Sequence, residues 1–420
     1  MMTAIENWGL PTSQFWLHGE RPRDPVQHDE ATGLWNVYGH PEAVQLLGDP
    51  VQHDEATGLW NVYGHPEAVQ LLGDPATFSS DTSRLFPQGD EFADGNLVRM
   101  DPPEHNKLRK LVSHAFTPKV VAGLEPRIAG LTDELLDAVD GADRLELVAD
   151  LAYPLPVIVI AELLGVPASD RELFKEWVDA MFTRDATPSL KEQTPEQQRE
   201  LDAVLAQVRN LTEYLGGHVD ERRAHPREDL LSKLVEAEVD GERLTRAEVV
   251  NFANVLLIAG HITTTMLLGN TVLCLDAHPE HQARARAERS SLPAVIEESL
   301  RFLSPFATLG RVTSTEAELG GQRIPADQLL MVWAAAANRD PRRFSNPDVF
   351  DPTRDPNPHL GFGRGVHFCL GAPLARLEGR VALGKLFDRF PVLATDPADP
   401  PEFQPNPNMT GVRKLPLRTG

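Results

Sequence analysis

The stretch Gly361-Phe362-Gly363-Arg364-Gly365-Val366-His367-Phe368-Cys369-Leu370-Gly371 decides how this chain is read. It sets a cysteine among glycines, with a histidine two residues before it and a helix-forming run, Ala372 to Leu386, directly after it. Glycine lets a backbone bend tightly and approach a flat ligand that a larger residue would hold off. The amides of such a turn, and of the helix start, point at the sulfur and favour its anion. A thiolate held this way suits an axial position on a haem iron, where it pushes electron density across the metal and favours O–O cleavage. A lone buried cysteine is more often structural, but the pattern F-x-x-G-x-x-x-C-x-G reverses that weighting. Cys369 is therefore the candidate metal ligand, with Phe362, Gly363 and Gly371 beside it as cofactor-contacting positions.

The rest of the chain sets bounds on what such a site serves. Of 420 residues, 41% are hydrophobic and 24% charged, which describes a globular protein with ample core. A net charge of −22 argues against nucleic acid as a partner. Lys107, Arg109 and Lys110, together with Arg364, Arg376 and Arg380, would form a local basic patch for an acidic protein if they share a face. Met1 to Gly9 lacks the basic and apolar runs of a signal peptide. The apolar run Leu151 to Val166 is broken by Pro154, Pro156 and Glu162 and falls short of the ~20 residues a bilayer span needs. The other cysteine, Cys274, lies in an apolar run and reads as a small core residue. These features predict a soluble, cytoplasmic protein without disulfides or a membrane anchor.

The run Asp24 to Pro50 recurs letter for letter as Asp49 to Pro75, so that residues 26–50 and 51–75 are duplicates. True structural repeats drift in sequence and need about three copies for stability. A single perfect duplication reads as a recent insertion or an artefact of the sequence record. Each copy predicts a strand (Leu34 to Tyr38, Leu59 to Tyr63) and then a helix from His40 or His65, and one copy is expected to pair in a sheet while the other is accommodated at the surface.

Helical periodicity dominates after Pro103, over Glu104 to Phe116, Glu125 to Val139, Leu155 to Leu164, Arg171 to Met181, Pro195 to Arg223, Arg246 to Asp276 and Leu292 to Arg301. Shorter β-rich runs occur at Arg311 to Leu319 and Leu329 to Trp333. No linker cuts the chain, so it predicts one domain over residues 1–420, mainly α with a minor β-sheet.

Three further motifs carry chemistry. The run Ala259-Gly260-His261-Ile262-Thr263-Thr264-Thr265 lies within a predicted helix, where the Thr263 hydroxyl can bond back to the Ala259 carbonyl and loosen the turn. Small Ala259 and Gly260 would leave room there for a diatomic ligand and water. Glu298 and Arg301, spaced i,i+3 among apolar neighbours, suggest a buried pair, with Arg354 able to join it. His105 and Arg109, spaced i,i+4, put two donors on one helix face, and Arg311 and His367 flank the cysteine loop. Four donors suit the two propionates of a haem.

These motifs, in this order, resemble those of the bacterial cytochromes P450, from about Trp60 to the C-terminus and including Ala337-Asn338-Arg339-Asp340-Pro341. The resemblance implies the P450 fold, with haem b between the oxygen-groove helix and the cysteine-loop helix. It implies that Cys369 ligates iron, that His105, Arg109, Arg311 and His367 hold the propionates, that Thr263 assists proton delivery, and that Glu298, Arg301 and Arg354 lock the fold beneath the haem. One position departs from the family pattern: an acid commonly precedes the threonine, and here Ile262 stands in its place. His261, ordered water or a substrate hydroxyl is then the expected proton source. The run around His261 is closest to macrolide-tailoring hydroxylases.

The expected function is a haem-thiolate monooxygenase that hydroxylates or epoxidises a bulky lipophilic molecule with O2, a polyketide macrolide by resemblance, drawing electrons from a ferredoxin and its reductase. Its pocket would be lined by Phe86, Met181, Phe182, Val255, Ala259, Phe306, Leu309 and Met409. Two alternatives stand beside this reading: a peroxide-driven peroxygenase or isomerase, kept open by the missing acid, and a haem-based sensor.

Overall fold

The computed structural model describes residues 26–29, 34–37, 50–55, 58–85, 94–141, 143–182, 195–239, 241–404 and 408–420. Its centre is the helix Arg246–Ala277. A capping box starts it: Thr245 Oγ1 accepts from the Glu248 amide at 3.1 Å, and Glu248 Oε2 accepts from the Thr245 amide at 2.7 Å. The helix is apolar on nearly every side because Pro154–Leu164, Pro195–Ala224, Leu292–Phe302 and Ala372–Arg389 all pack on it. By length and composition alone it would cross a membrane, more readily than the run Leu151 to Val166. In the fold, 72% of its most apolar window is buried, as a core helix requires.

A smaller β-layer flanks the helices. The five-stranded sheet runs Val51–Asp54, Leu59–Val62, Leu329–Trp333, Thr308–Thr313, Phe78–Ser79. Leu59–Val62 pairs in parallel with Leu329–Trp333 (Trp60 opposite Leu330), and the remaining pairs are antiparallel. One face of the sheet buries Val51, Val62, Leu71, Leu72, Leu330 and Val332 in a core of its own.

The two identical copies have different surroundings. Val51–Asp54 and Leu59–Val62 form the edge hairpin of the five-stranded sheet, and the helix His65–Gly73 follows. That helix is fixed to the rest of the molecule by the His65 amide donating to Asp340 Oδ2 at 2.8 Å and by Arg342 on Glu67 at 2.7 Å. In the first copy, Val26–Asp29 pairs with Leu34–Val37 in the same register, Val26 opposite Val37 as Val51 is opposite Val62, but as a separate two-stranded sheet.

Periodicity placed the long helices to within a few residues and missed short elements. Helices Pro118–Gly123, Leu230–Glu236 and Pro279–Ala287 are each nine residues or fewer, too short for a periodic signal. The β-rich run Arg311 to Leu319 is two strands, Thr308–Thr313 and Ala317–Leu319, and the second turns back on Gln322–Ile324. Deleting residues 26–50 leaves one full copy to fill the sheet edge. The deletion variant is expected to unfold at the same temperature as the full chain and to bind haem equally well; loss of either would show that the first copy is needed.

Candidate active site

The cysteine loop is built on backbone that only glycine accommodates easily. Gly363 and Gly365 have φ of 67° and 71°. A Cβ on Gly365 would sit 2.4 Å from the Leu72 carbonyl oxygen, so the loop also touches the helix His65–Gly73. The Cys369 amide donates to the Phe362 carbonyl at 2.9 Å, and the Gly363 amide to that of Leu360 at 2.8 Å. Burial pushes the Cys369 thiol up, while the Gly371 and Ala372 amides and the Arg109 and Arg376 guanidinium groups act in the opposite sense. The loop thus presents anion-stabilising groups to a sulfur that burial alone keeps protonated, and binding to a metal deprotonates such a thiol outright. Arg376 lies 4.5 Å over the Phe362 ring and holds Glu297 through two bonds of 2.6 and 2.8 Å. At Gly371 a Cβ would meet no atom within 4 Å, so the loop is open there.

Four basic side chains from three separate segments converge beside this loop. His105 and Arg109 come from the helix Glu104–Ser113, Arg311 from the sheet and His367 from the loop itself. The His105 and His367 rings are 4.3 Å apart. Arg109 Nη2 donates to the Phe368 carbonyl at 2.5 Å, and Arg311 Nη1 to that of Gly310 at 2.7 Å. Burial lowers the pKa of Arg311 to about 10. Burial, then Arg311, His105 and Arg109, lowers that of His367 to about 3. The facing acid, Asp101, already accepts from Ser79 Oγ and from the Ser80 amide, and Ser80 Oγ lies 2.9 Å from His367 Nε2. His105 is fully buried, and its Nε2 has no partner among the described residues. Buried donors of this kind, with two guanidinium groups among them, fit an anionic group carrying more than one carboxylate, as haem does.

The central helix shows an open stripe. Ala259 is exposed and Val255, Ile258, Gly260 and Thr263 are half-buried, whereas their helix neighbours are buried. Thr263 Oγ1 donates to the Ala259 carbonyl at 2.8 Å. Thr264 and Thr265 make the same bond to Gly260 and His261, at 3.2 and 2.9 Å. Two residues in this run make contacts with neighbouring elements of the packed side. His261 is 1% exposed, with Nδ1 2.7 Å from the Leu257 carbonyl oxygen and its ring edge-on to Tyr153 at 5.6 Å. Two steps from Ala259 and Thr263 turn it about 200° around the helix. The missing Cβ of Gly260 faces Ile160 at 3.2 Å, so that glycine lets two helices pack.

Ile262 faces an apolar cluster with Met266 and Met409, against which Ile258 and Phe306 pack. Phe306 and Met409 are joined by a β-bridge. Leu309 alternates onto the face of Arg311 and packs on the sheet's own cluster, away from that pair. Met181 and Phe182 end the helix Arg171–Phe182, and Phe86 lies outside the described residues. The expected basic patch is largely neutralised: Lys107 pairs with Glu242, Arg376 with Glu297 and Arg380 with Glu125.

Beneath the loop, Glu298 and Arg301 are both fully buried. Arg301 reaches Glu298 at 2.8 and 2.7 Å and the carbonyls of Asn338, Pro347 and Val349 at 2.9, 2.7 and 3.0 Å, which uses all its donors. Glu298 also accepts from the Asp351 amide at 2.9 Å and Asn357 Nδ2 at 3.1 Å, with Arg354 Nε at 3.5 Å. Asn338 Oδ1 then accepts from the Leu360 amide at 2.7 Å, at the threshold of the cysteine loop. Sequence reading did not anticipate Ser80 and Asp101, which stand in an irregular stretch with no motif around them.

The cytochrome P450 family model matches residues 57–419. The chain belongs to the cytochrome P450 family. It is 45% identical to the cyclomarin C epoxidase of Salinispora arenicola, over 95% of this chain and 94% of that protein. It is 44% identical to the erythromycin C-12 hydroxylase of Saccharopolyspora erythraea, over 96% and 94%. Among solved structures, a hydroxylase of himastatin biosynthesis is 53% identical with a TM-score of 0.79, all of both chains being covered. This P450 is accordingly a haem-dependent monooxygenase that uses O2 and redox partners to oxidise a lipophilic small molecule. Removing the Arg301 guanidinium strands a buried carboxylate in any such protein. Arg301→Leu is expected to cost about 3–5 kcal/mol and to abolish holoprotein in expression, read by thermal unfolding and haem content.

Proposed function

We propose that this P450 hydroxylates or epoxidises a bulky lipophilic natural product in the cytoplasm, with a polyketide macrolide as the first substrate class. The observation that carries this reading is the open stripe Val255–Ala259–Thr263 on an otherwise buried helix, beside the apolar cluster that Phe306 and Met409 form with Ile258, Ile262 and Met266. The cofactor is haem b. Cys369 would ligate its iron, and His105, Arg109, Arg311 and His367 would take its two propionates. Bound there, haem supplies the activation of dioxygen. The chain supplies the rest: the glycine loop sets the sulfur, the basic group orients the cofactor, and Ala259 leaves space. Thr263 holds a hydroxyl at the groove. The apolar roof suits a lipophilic scaffold. Electrons come from a ferredoxin and its reductase, which meet the surface near Lys110 and Arg364.

Reduced protein under carbon monoxide should give the red-shifted Soret band of a thiolate-ligated haem; its absence would refute the assignment of Cys369. Turnover is expected with ferredoxin, reductase and NAD(P)H. Ile262 favours a second reading, a peroxide-driven peroxygenase, which predicts product with hydrogen peroxide and none with the ferredoxin system. Optical titration with erythromycin B, cyclomarin C and himastatin-type molecules separates the substrate classes of the relatives, and a macrolide is expected to give the largest shift toward high spin.

Thr263→Ala is expected to raise peroxide release per electron pair several-fold. His261→Phe should leave it unchanged, since that ring packs on Tyr153 away from the groove. Equal effects of the two substitutions would contradict the division of the helix into an open and a packed face.

A further inference from the structure

The apolar roof beside the groove, where Phe306 and Met409 pack against Ile258, Ile262 and Met266, comes from two chain segments distant in sequence, 305–309 and 408–410, and neither belongs to the central helix. They are knitted together by backbone. The Ala307 amide donates to the Asn408 carbonyl at 2.9 Å and the Thr410 amide to that of Pro305 at 2.8 Å. Thr308 Oγ1 adds a bond of 2.8 Å to Asn408 Oδ1. This knitting fixes the segments to each other and leaves open what sets their height above Ala259 and Thr263.

Asn270 does so. It lies on the central helix seven residues, two turns, beyond Thr263 and therefore on the same side of it. Its side-chain nitrogen donates at 2.9 Å to the Leu303 carbonyl and at 2.9 Å to the Thr410 carbonyl. Leu303 is where the helix Leu292–Phe302 ends and the first roof segment begins; Thr410 follows Met409 in the second. Both neighbours are carbonyl oxygens, so the amide nitrogen must face them. Asn270 Oδ1 is buried without a partner among the described residues, so there the amide contributes its two donors. Two glycines make the approach close enough. A Cβ on Gly269 would lie 2.6 Å from Val412 Cγ2, and one on Gly411 would lie 2.6 Å from Met266 Cγ.

We propose that Asn270 is the positioning residue of the substrate roof: through Leu303 and Thr410 it sets where Phe306 and Met409 stand relative to Ala259 and Thr263, and so which substrates fit and which carbon is presented. This rests on the monooxygenase reading of the groove. Two azoles test it without a known substrate. Imidazole needs only the metal, whereas 1-phenylimidazole must also fit beneath the roof. In Asn270→Ala the ratio of their dissociation constants is expected to change by about tenfold, the factor given by one to two ordinary hydrogen bonds, while imidazole alone binds as before. A purely stabilising role would lower the yield of holoprotein and leave the ratio where it was, and that result overturns the proposal. If Asn270→Ala does not fold, Thr308→Val loosens the same turn and should move the ratio in the same direction; an unchanged ratio there is equally fatal. Failure of imidazole to red-shift the wild-type Soret band would instead refute the haem-thiolate site itself.

Discussion

A single buried guanidinium holds this site in place. The chain leaves the sheet at Trp333 and wanders through more than 20 residues without a long element before it reaches Cys369. Such a meander has no ladder to fix it, and its carbonyls must find donors individually. Arg301 supplies three of them, at Asn338, Pro347 and Val349, and Glu298 receives two more donors from Asp351 and Asn357. A buried ion pair is often no better than apolar packing in its place, because desolvation cancels the attraction. Here the pair is kept for what it organises: the path of the backbone that delivers the cysteine.

The same logic runs in reverse at the basic cluster. Arg301 has every donor met by the protein, whereas among the described residues His105 Nε2 has no partner and Arg311 hydrogen-bonds to the carbonyl next to it in sequence. Burial of donors without partners is costly to the folded chain. That cost concentrates where the helix Glu104–Ser113, the sheet and the cysteine loop meet, and an anionic cofactor relieves it. Beneath the loop every donor of Arg301 is met, whereas beside it the His105 Nε2 is not. Haem binding is accordingly expected to stabilise the chain as well as equip it.

How much of this the sequence disclosed follows from the range of each interaction. The cysteine loop, the Glu298–Arg301 pair and the His105–Arg109 pair are local patterns whose spacing states their geometry, and they were legible. The long helices were legible because their periods repeat over several turns. Asn270, Ser80 and Asp101 carry no such mark. Their partners lie 33 and 140 residues away for Asn270 and 287 for Ser80, so only the folded chain brings them together. His261 shows a further limit: it stands beside the threonine run in sequence, and a helix turns adjacent residues to different neighbours.

The threonine run brings the remaining question, the source of protons, to a definite form. A hydroxyl has one hydrogen to give and two lone pairs to receive. In this helix the Thr263 hydrogen is directed to the Ala259 carbonyl, so toward the groove its oxygen acts as an acceptor. It can hold a donor in place without being the donor. The residue before it cannot serve, since Ile262 has no proton to offer and is packed against Met266 and Met409. His261 is turned to Tyr153. On the proposed reading the donor is a molecule lying in the groove itself, either water or a hydroxyl of the substrate. Proton supply would then depend on how the substrate fills the space beside Phe306 and Met409. The roof proposed to select the substrate would on that reading also govern the efficiency of the reaction.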